Sequence, residues 1–264
     1  MSTLDLRDLH ESLRGGHILF GFAGLVAFWI PAFARKGSRL HVRAGRAFSW
    51  LAYGTAATAT VSSIWGLAAP VSFAGIDRPL SVAETATLSA NIRFLFAILL
   101  TVMTWLVAAV AIGSHASRER TDFRQRSGWV RFCVGLMGLV GVAAVSFGGA
   151  LVATGQLAGF VHGILGTIGI ADAIRKWQIL SRPPRTPHEW RDVHLDGMLS
   201  AGAAMHTAFL VFGAGRLFGI SITGPLAIVP WVLPGVLFGV AISRLKRRNA
   251  AATKSAAASE SAAV

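Results

Sequence analysis

GSRLHVRAGRAFSW, residues 37–50, sets Arg39, His41, Arg43 and Arg46 directly ahead of an apolar run that continues to about residue 69. A basic cluster abutting a long apolar run is how a membrane-spanning chain marks the end that stays in the cytoplasm, because Lys and Arg near a span resist translocation. The stretch therefore predicts a polytopic helical membrane protein. It leaves open whether its side chains also carry chemistry.

Composition agrees. Of 264 residues, 53% are hydrophobic and only 14% are charged, with a mean hydropathy of +0.58. That is about half the charge of an ordinary soluble domain. The formal net charge of +13 does not point to nucleic acid, since a nucleic-acid binder spreads Lys and Arg over a folded face. Here the basic residues sit in clusters between apolar runs. Cys133 is the one cysteine, so no intrachain disulfide and no Cys-rich metal site can form; it reads as a structural thiol.

Seven stretches are long and apolar enough for the roughly 20 helical residues that a hydrocarbon core of about 30 Å requires. They are predicted near 17–34, 46–69, 92–113, 130–153, 157–174, 197–215 and 224–243, and residues 17–246 make a single all-α bundle. The leader, residues 1–16, carries Asp5, Asp8 and Glu11 and does not read as a cleavable signal. Its Leu6, Leu9 and Leu13 recur at helical spacing, which predicts a short interfacial helix or a disordered leader. The 70–91 connection has room for another short interfacial helix around 80–90. Residues 247–264 form an Ala/Ser-rich tail expected to be disordered. A faint parallel repeat links HILFG at 17–21 to HGILG at 162–166.

Lys and Arg number five each in the 35–46, 118–131 and 175–191 connections and in the C-terminal segment, against five on the other side. This bias of twenty to five predicts an N-terminus outside and a cytoplasmic C-terminus in a bacterial-type inner membrane, with the arginines of 37–50 chiefly topogenic.

The run from HILFGFAG through PAFARKGSRLHVRAGRAFSW to SSIWGLAAP, together with RFLFAILLTVMTWLVAAVAIGSHASRERTDFRQRSGWVR, resembles a bacterial membrane-protein family, domain of unknown function 2306, over about residues 15–131. What is similar is His17 with Gly21 four later, a basic loop ending in His41, Gly45 and Arg46, and a basic loop before the fourth span. The chain departs from the expected His-Arg-Arg-Trp-like element, having RQRSGWVR instead. The resemblance implies a membrane protein and brings no established chemistry.

Ionisable groups inside a membrane are costly and mark function by default. Deep ones are His162 and His206, while Asp172, Arg93 and Arg131 fall near span ends; a proton-coupled carrier normally wants a mid-membrane carboxylate. A retinal Schiff base needs a mid-membrane lysine, and Lys36, Lys176, Lys246 and Lys254 all fall elsewhere. Histidine boxes and phosphate-binding loops are absent from the sequence. What remains is axial ligation, in which two neutral imidazoles clamp haem iron and small residues let the macrocycle approach. The expected cofactor is haem b, bound in the outer half by His162 and His206 as iron ligands with His17 nearby, each having a glycine one turn away (Gly166, Gly202, Gly21). His41, with His115 and His194, forms a second tier at the cytoplasmic end. The activity this predicts is electron transfer across the membrane. The competing readings are histidines that are only hydrogen-bonded helix contacts, a carrier of small solutes or lipid, and a subunit of a membrane complex. No catalytic residue is assigned. The expected partners are the bilayer and a membrane protein or second copy packed on the Gly155/Gly159/Gly163 face, part of a small-residue stripe continuing to Thr167 and Ala171. Several of the eight Trp lie near span ends, as an aromatic belt would place them.

Overall fold

The computed structural model describes residues 3–76, 78–122, 124, 127–219 and 229–262. All regular structure among them is helical, with no strands. In chain order the helices are α1 (Thr3–Phe33), α2 (Arg39–Ala68), α3 (Pro70–Ala74), α4 (Val82–Arg118), α5 (Gly128–Ala153), α6 (Gly159–Ser181), α7 (Glu189–Ala208), a π-helical turn (Phe209–Gly213), α8 (Ala214–Phe218) and α9 (Val229–Ala262). Among the described residues, five helical segments are long and apolar enough to cross a membrane: Asp8–Phe33, Val82–Arg118, Gly128–Ala153, Glu189–Gly213 and Val229–Ala251. The two predicted spans not among them lie in α2 and α6. Those helices have 30 and 23 residues, so length is sufficient; α2's arginines and hydroxyls and α6's charged last turns dilute the apolar character.

Element boundaries follow local chemistry. Ser38 caps α2 by accepting the His41 amide at 3.2 Å. Ser81 and Glu84 form a reciprocal capping box at the start of α4, with Arg78 bound to Glu84 at 2.6 Å, so two of the orphan amides of a helix start are satisfied. The residues expected to form a separate interfacial helix around 80–90 are therefore the first turns of α4. Likewise the leader is continuous with the first span in one 31-residue helix. Helical backbone in α9 also runs on through residues 247–262, where Ala-rich composition favours helix. Of the seventh predicted span, residues 224–228 lie outside the described residues.

The long helices alternate direction. His17 of α1 meets Thr55 of α2, and Pro31 meets His41. Gly66 of α2 faces Phe96 of α4, and Ser49 bonds Ser114. Phe28 of α1 lies on Gly202 of α7, and Lys246 of α9 pairs with Asp196 of α7. This up-and-down arrangement puts the 34–38, 119–127 and 182–188 connections and the C-terminal half of α9 at one end, hereafter the basic end. α4 is the hub, with Leu106, Ala108, Ala109 and Val110 fully buried.

In lipid, where tails are as apolar as leucine, helices associate by close packing rather than by escape from water. Glycine supplies that here. A Cβ on Gly141 would stand 2.9 Å from the Gly166 carbonyl, one on Gly148 2.8 Å from the Gly163 amide, and one on Gly197 2.7 Å from the Ala109 carbonyl. Backbones thus touch at the α5–α6 and α4–α7 crossings. The expected stripe on α6 is corrected by this geometry. An interval of four drifts about 40° per step on a 3.6-residue helix, so Thr167 and Ala171 are exposed, and Gly155 sits in the preceding turn at φ +83. The ridge that is buried runs Gly159, His162, Gly166, Gly169, Ala173, Lys176 and Leu180. Gly155, Gly159 and Gly163 therefore do not share one free face, because Gly159 is packed on α5.

Candidate functional site

The predicted histidines lie in separate places. His206 is ringed by Phe28, Trp29 and Phe238 at centroid distances of 5.4, 5.5 and 5.3 Å, and its Nδ1 donates to the Gly202 carbonyl at 2.7 Å. His162 is 1% exposed and wedged between Phe94 and Phe147 at 4.7 and 5.0 Å. Its Nε2 donates to the Phe94 carbonyl at 3.2 Å, and its Nδ1 has no hydrogen-bond partner among the described residues. His17 holds the Thr55 carbonyl at 3.2 Å and the Thr58 hydroxyl at 3.3 Å.

Helix registers place these three at different depths. His162 is level with Phe94, hence with the neighbouring Gly66–Phe96 contact, and there Trp65 meets His10 of α1. His206 is level with Phe28 and Trp29 of α1. Eighteen residues of α1 separate the two levels, about 27 Å at 1.5 Å per residue. His17 falls between, about 10 Å from one level and about 16 Å from the other. Two imidazoles on one iron have ring centres only about 6 Å apart, given metal–nitrogen distances near 2 Å. His162 and His206 do not bracket a common metal, and His162 turns its Nε2 to a carbonyl instead.

His41 and His194 do come together. Their ring centroids are 6.4 Å apart at the basic end, and the Nδ1 atoms donate to the Pro31 and Gly113 carbonyls at 3.1 and 2.8 Å. Such a bond at Nδ1 fixes the tautomer that presents Nε2 as a lone pair. Lys36 stands beside them, its ammonium on the Pro31 and Ala32 carbonyls, and partial burial holds its pKa below the ordinary value. Among the described residues no group of three or more His, Cys, Asp or Glu converges on one point.

The most prominent polar feature was only half visible in the sequence. Lys176 is 1% exposed and ion-paired to Asp172 one turn earlier. The same carboxylate accepts the Trp105 indole N–H at 2.8 Å and the Arg175 guanidinium at 2.8 Å. Arg175 also reaches Asp196 of α7 at 2.6 Å, and Asp196 meets Lys246 of α9 at 3.5 Å. One charge layer thus joins α4, α6, α7 and α9. Asp172 lies nine residues before the end of α6, and its partner Trp105 lies 13 residues, or about 20 Å, before the end of α4. The signal in the sequence was the Asp172–Lys176 interval of four. Trp105, 67 residues away, carried none. Outside this layer Arg182 is held by Glu189, which raises the guanidinium pKa further above its ordinary value.

Exposure falls along the layer. Side chains are 45% exposed at Arg175, 12% at Asp172 and 1% at Lys176, so a line of ion pairs leads from the surface of the bundle into its interior. Arg175 is a cation with two carboxylates, one on each of two helices, and can exchange between them without losing a partner.

Comparison with protein-family models, curated proteins and solved structures finds no match.

Proposed function

We propose that the chain is a seven-span integral protein of the cytoplasmic membrane, N-terminus outside and C-terminus inside, and that it works as a proton- or ion-coupled carrier whose cytoplasmic gate is the Asp172–Lys176–Arg175–Asp196 layer. The orientation rests on twenty of twenty-five Lys and Arg residues lying in segments at one end of the bundle. The carrier reading rests on one observation: Arg175 is forked between α6 and α7 beside an ion pair whose ammonium, on Lys176, is fully buried. Buried charges of this kind mark ion pathways and relays in membrane proteins, and a shared cation lets two helices slide while staying paired.

The test uses proteoliposomes loaded with a fluorescent pH reporter and given a pH step. Wild-type protein should dissipate the step faster than empty vesicles, Asp172→Asn should not, and Asp196→Asn should be intermediate. Wild-type flux equal to that of empty vesicles, with either proton or sodium gradients, removes the carrier reading.

A second reading, haem-based electron transfer, is favoured by the His41–His194 spacing. Haem b needs only two protein nitrogens because its macrocycle supplies the other four, and among the described residues His, Cys, Asp and Glu supply no third donor to this pair. Protein purified after expression with haem precursor should show a Soret band that His41→Ala and His194→Ala each abolish while His206→Ala and His162→Ala retain it. A colourless wild type ends this reading.

A further inference from the structure

On the outside of α2, Arg43, Arg46, Trp50 and Tyr53 fall within an arc of about 80°, and all but Tyr53 are exposed. Trp50 contacts Tyr53 at a centroid distance of 6.3 Å, and Tyr53 lies near Trp129 of α5. Trp129 in turn stacks on Phe132 at 5.6 Å. The result is an external aromatic surface with patches on α2 and on α5, Trp50, Trp129 and Phe132 being exposed at 76, 57 and 58%. Among the described residues neither arginine has an ion-pair partner.

We infer that this surface holds one anionic glycerophospholipid of the leaflet at the basic end, with its phosphate on Arg43 and Arg46 and an acyl chain along Trp50 and Phe132. The inference rests on the membrane placement of α2 but not on the carrier reading. Two adjacent unpaired cations match an anionic headgroup in a way a net-neutral one does not satisfy. The aromatic surface starts four to seven residues further along α2, about 6–10 Å deeper. That is the offset between a headgroup phosphate and the first methylenes of its acyl chains. A free phosphate ion would use the arginines and leave the aromatic wall without a role.

The full-length protein in detergent is titrated with phosphatidylglycerol, phosphatidylcholine or inorganic phosphate, and retained lipid is counted by native mass spectrometry. Phosphatidylglycerol should be retained in preference to phosphatidylcholine, and inorganic phosphate should not displace it. Arg43→Gln/Arg46→Gln should weaken phosphatidylglycerol retention about 30-fold, taking the usual contribution of two basic residues at an anionic surface. Trp50→Ala should weaken both lipids alike, and Arg244→Gln/Arg247→Gln, elsewhere at the same end, should change nothing. Displacement by inorganic phosphate makes this a free-anion site and overturns the proposal. So does equal retention of the two lipids by wild type, or an equal loss from the Arg244/Arg247 control, which would mark diffuse charge. The wild-type comparison stands even if the arginine variant does not fold. Proton flux is read separately, so failure here and failure of the carrier reading are distinguishable.

Discussion

Lys176 is held by a single carboxylate that also serves Trp105 and Arg175, so removing Asp172 strands a buried ammonium. Breaking one half of a buried pair costs about 3–5 kcal/mol, whereas replacing both halves with apolar groups is close to neutral. Asp172→Asn should therefore lower the melting temperature sharply in detergent, and Asp172→Leu/Lys176→Leu should recover most of it. If the layer gates ion movement, the double variant is stable and silent in the flux assay; a stable double variant with wild-type flux reduces the layer to a structural clamp. His206 gives a contrasting case. Its imidazole is satisfied by Gly202 and three aromatic rings, and His206→Ala should cost stability through lost packing, with no spectral or flux change of its own. At this scale the sequence said little about the company its histidines keep. The separation of His162 from His206 depends on three helix registers, and no local spacing encodes those.

Helix contacts make sharper predictions, because glycines of one element differ in what they touch. Gly148→Ala places a methyl 2.8 Å from a backbone amide of α6, so the helices must part, at about 1–3 kcal/mol by the cost of overpacking. Gly163→Ala meets nothing within 4 Å and should be neutral or stabilising by up to about 1 kcal/mol through helix propensity. Thermal unfolding of the two variants side by side checks this; equal effects would contradict the α5–α6 register. The apolar runs and their order were legible from residue types alone. The identity of the packing ridge on α6 was not, since a four-residue interval and the true 3.6-residue turn diverge within three steps, and only the partner helix decides which glycines are used.

Across the whole molecule, charge and topology carry the account. The sequence-level bias of twenty basic residues to five coincides with the end at which the alternating helices gather the basic connections. α2 and α6 are the helices whose crossing composition alone leaves open, because five other segments meet the apolar criterion and these two do not. Alkaline phosphatase and fluorescent-protein fusions after residues 38, 76, 120, 156 and 184 separate the alternatives directly. Seven spans with a cytoplasmic basic end predict phosphatase activity at 76 and 156 and fluorescence at 38, 120 and 184. If 38 and 76 report the same side, α2 does not cross and the seven-span count fails; if 156 and 184 do, α6 does not cross, the charge layer on it is not inside the membrane, and the central claim is contradicted.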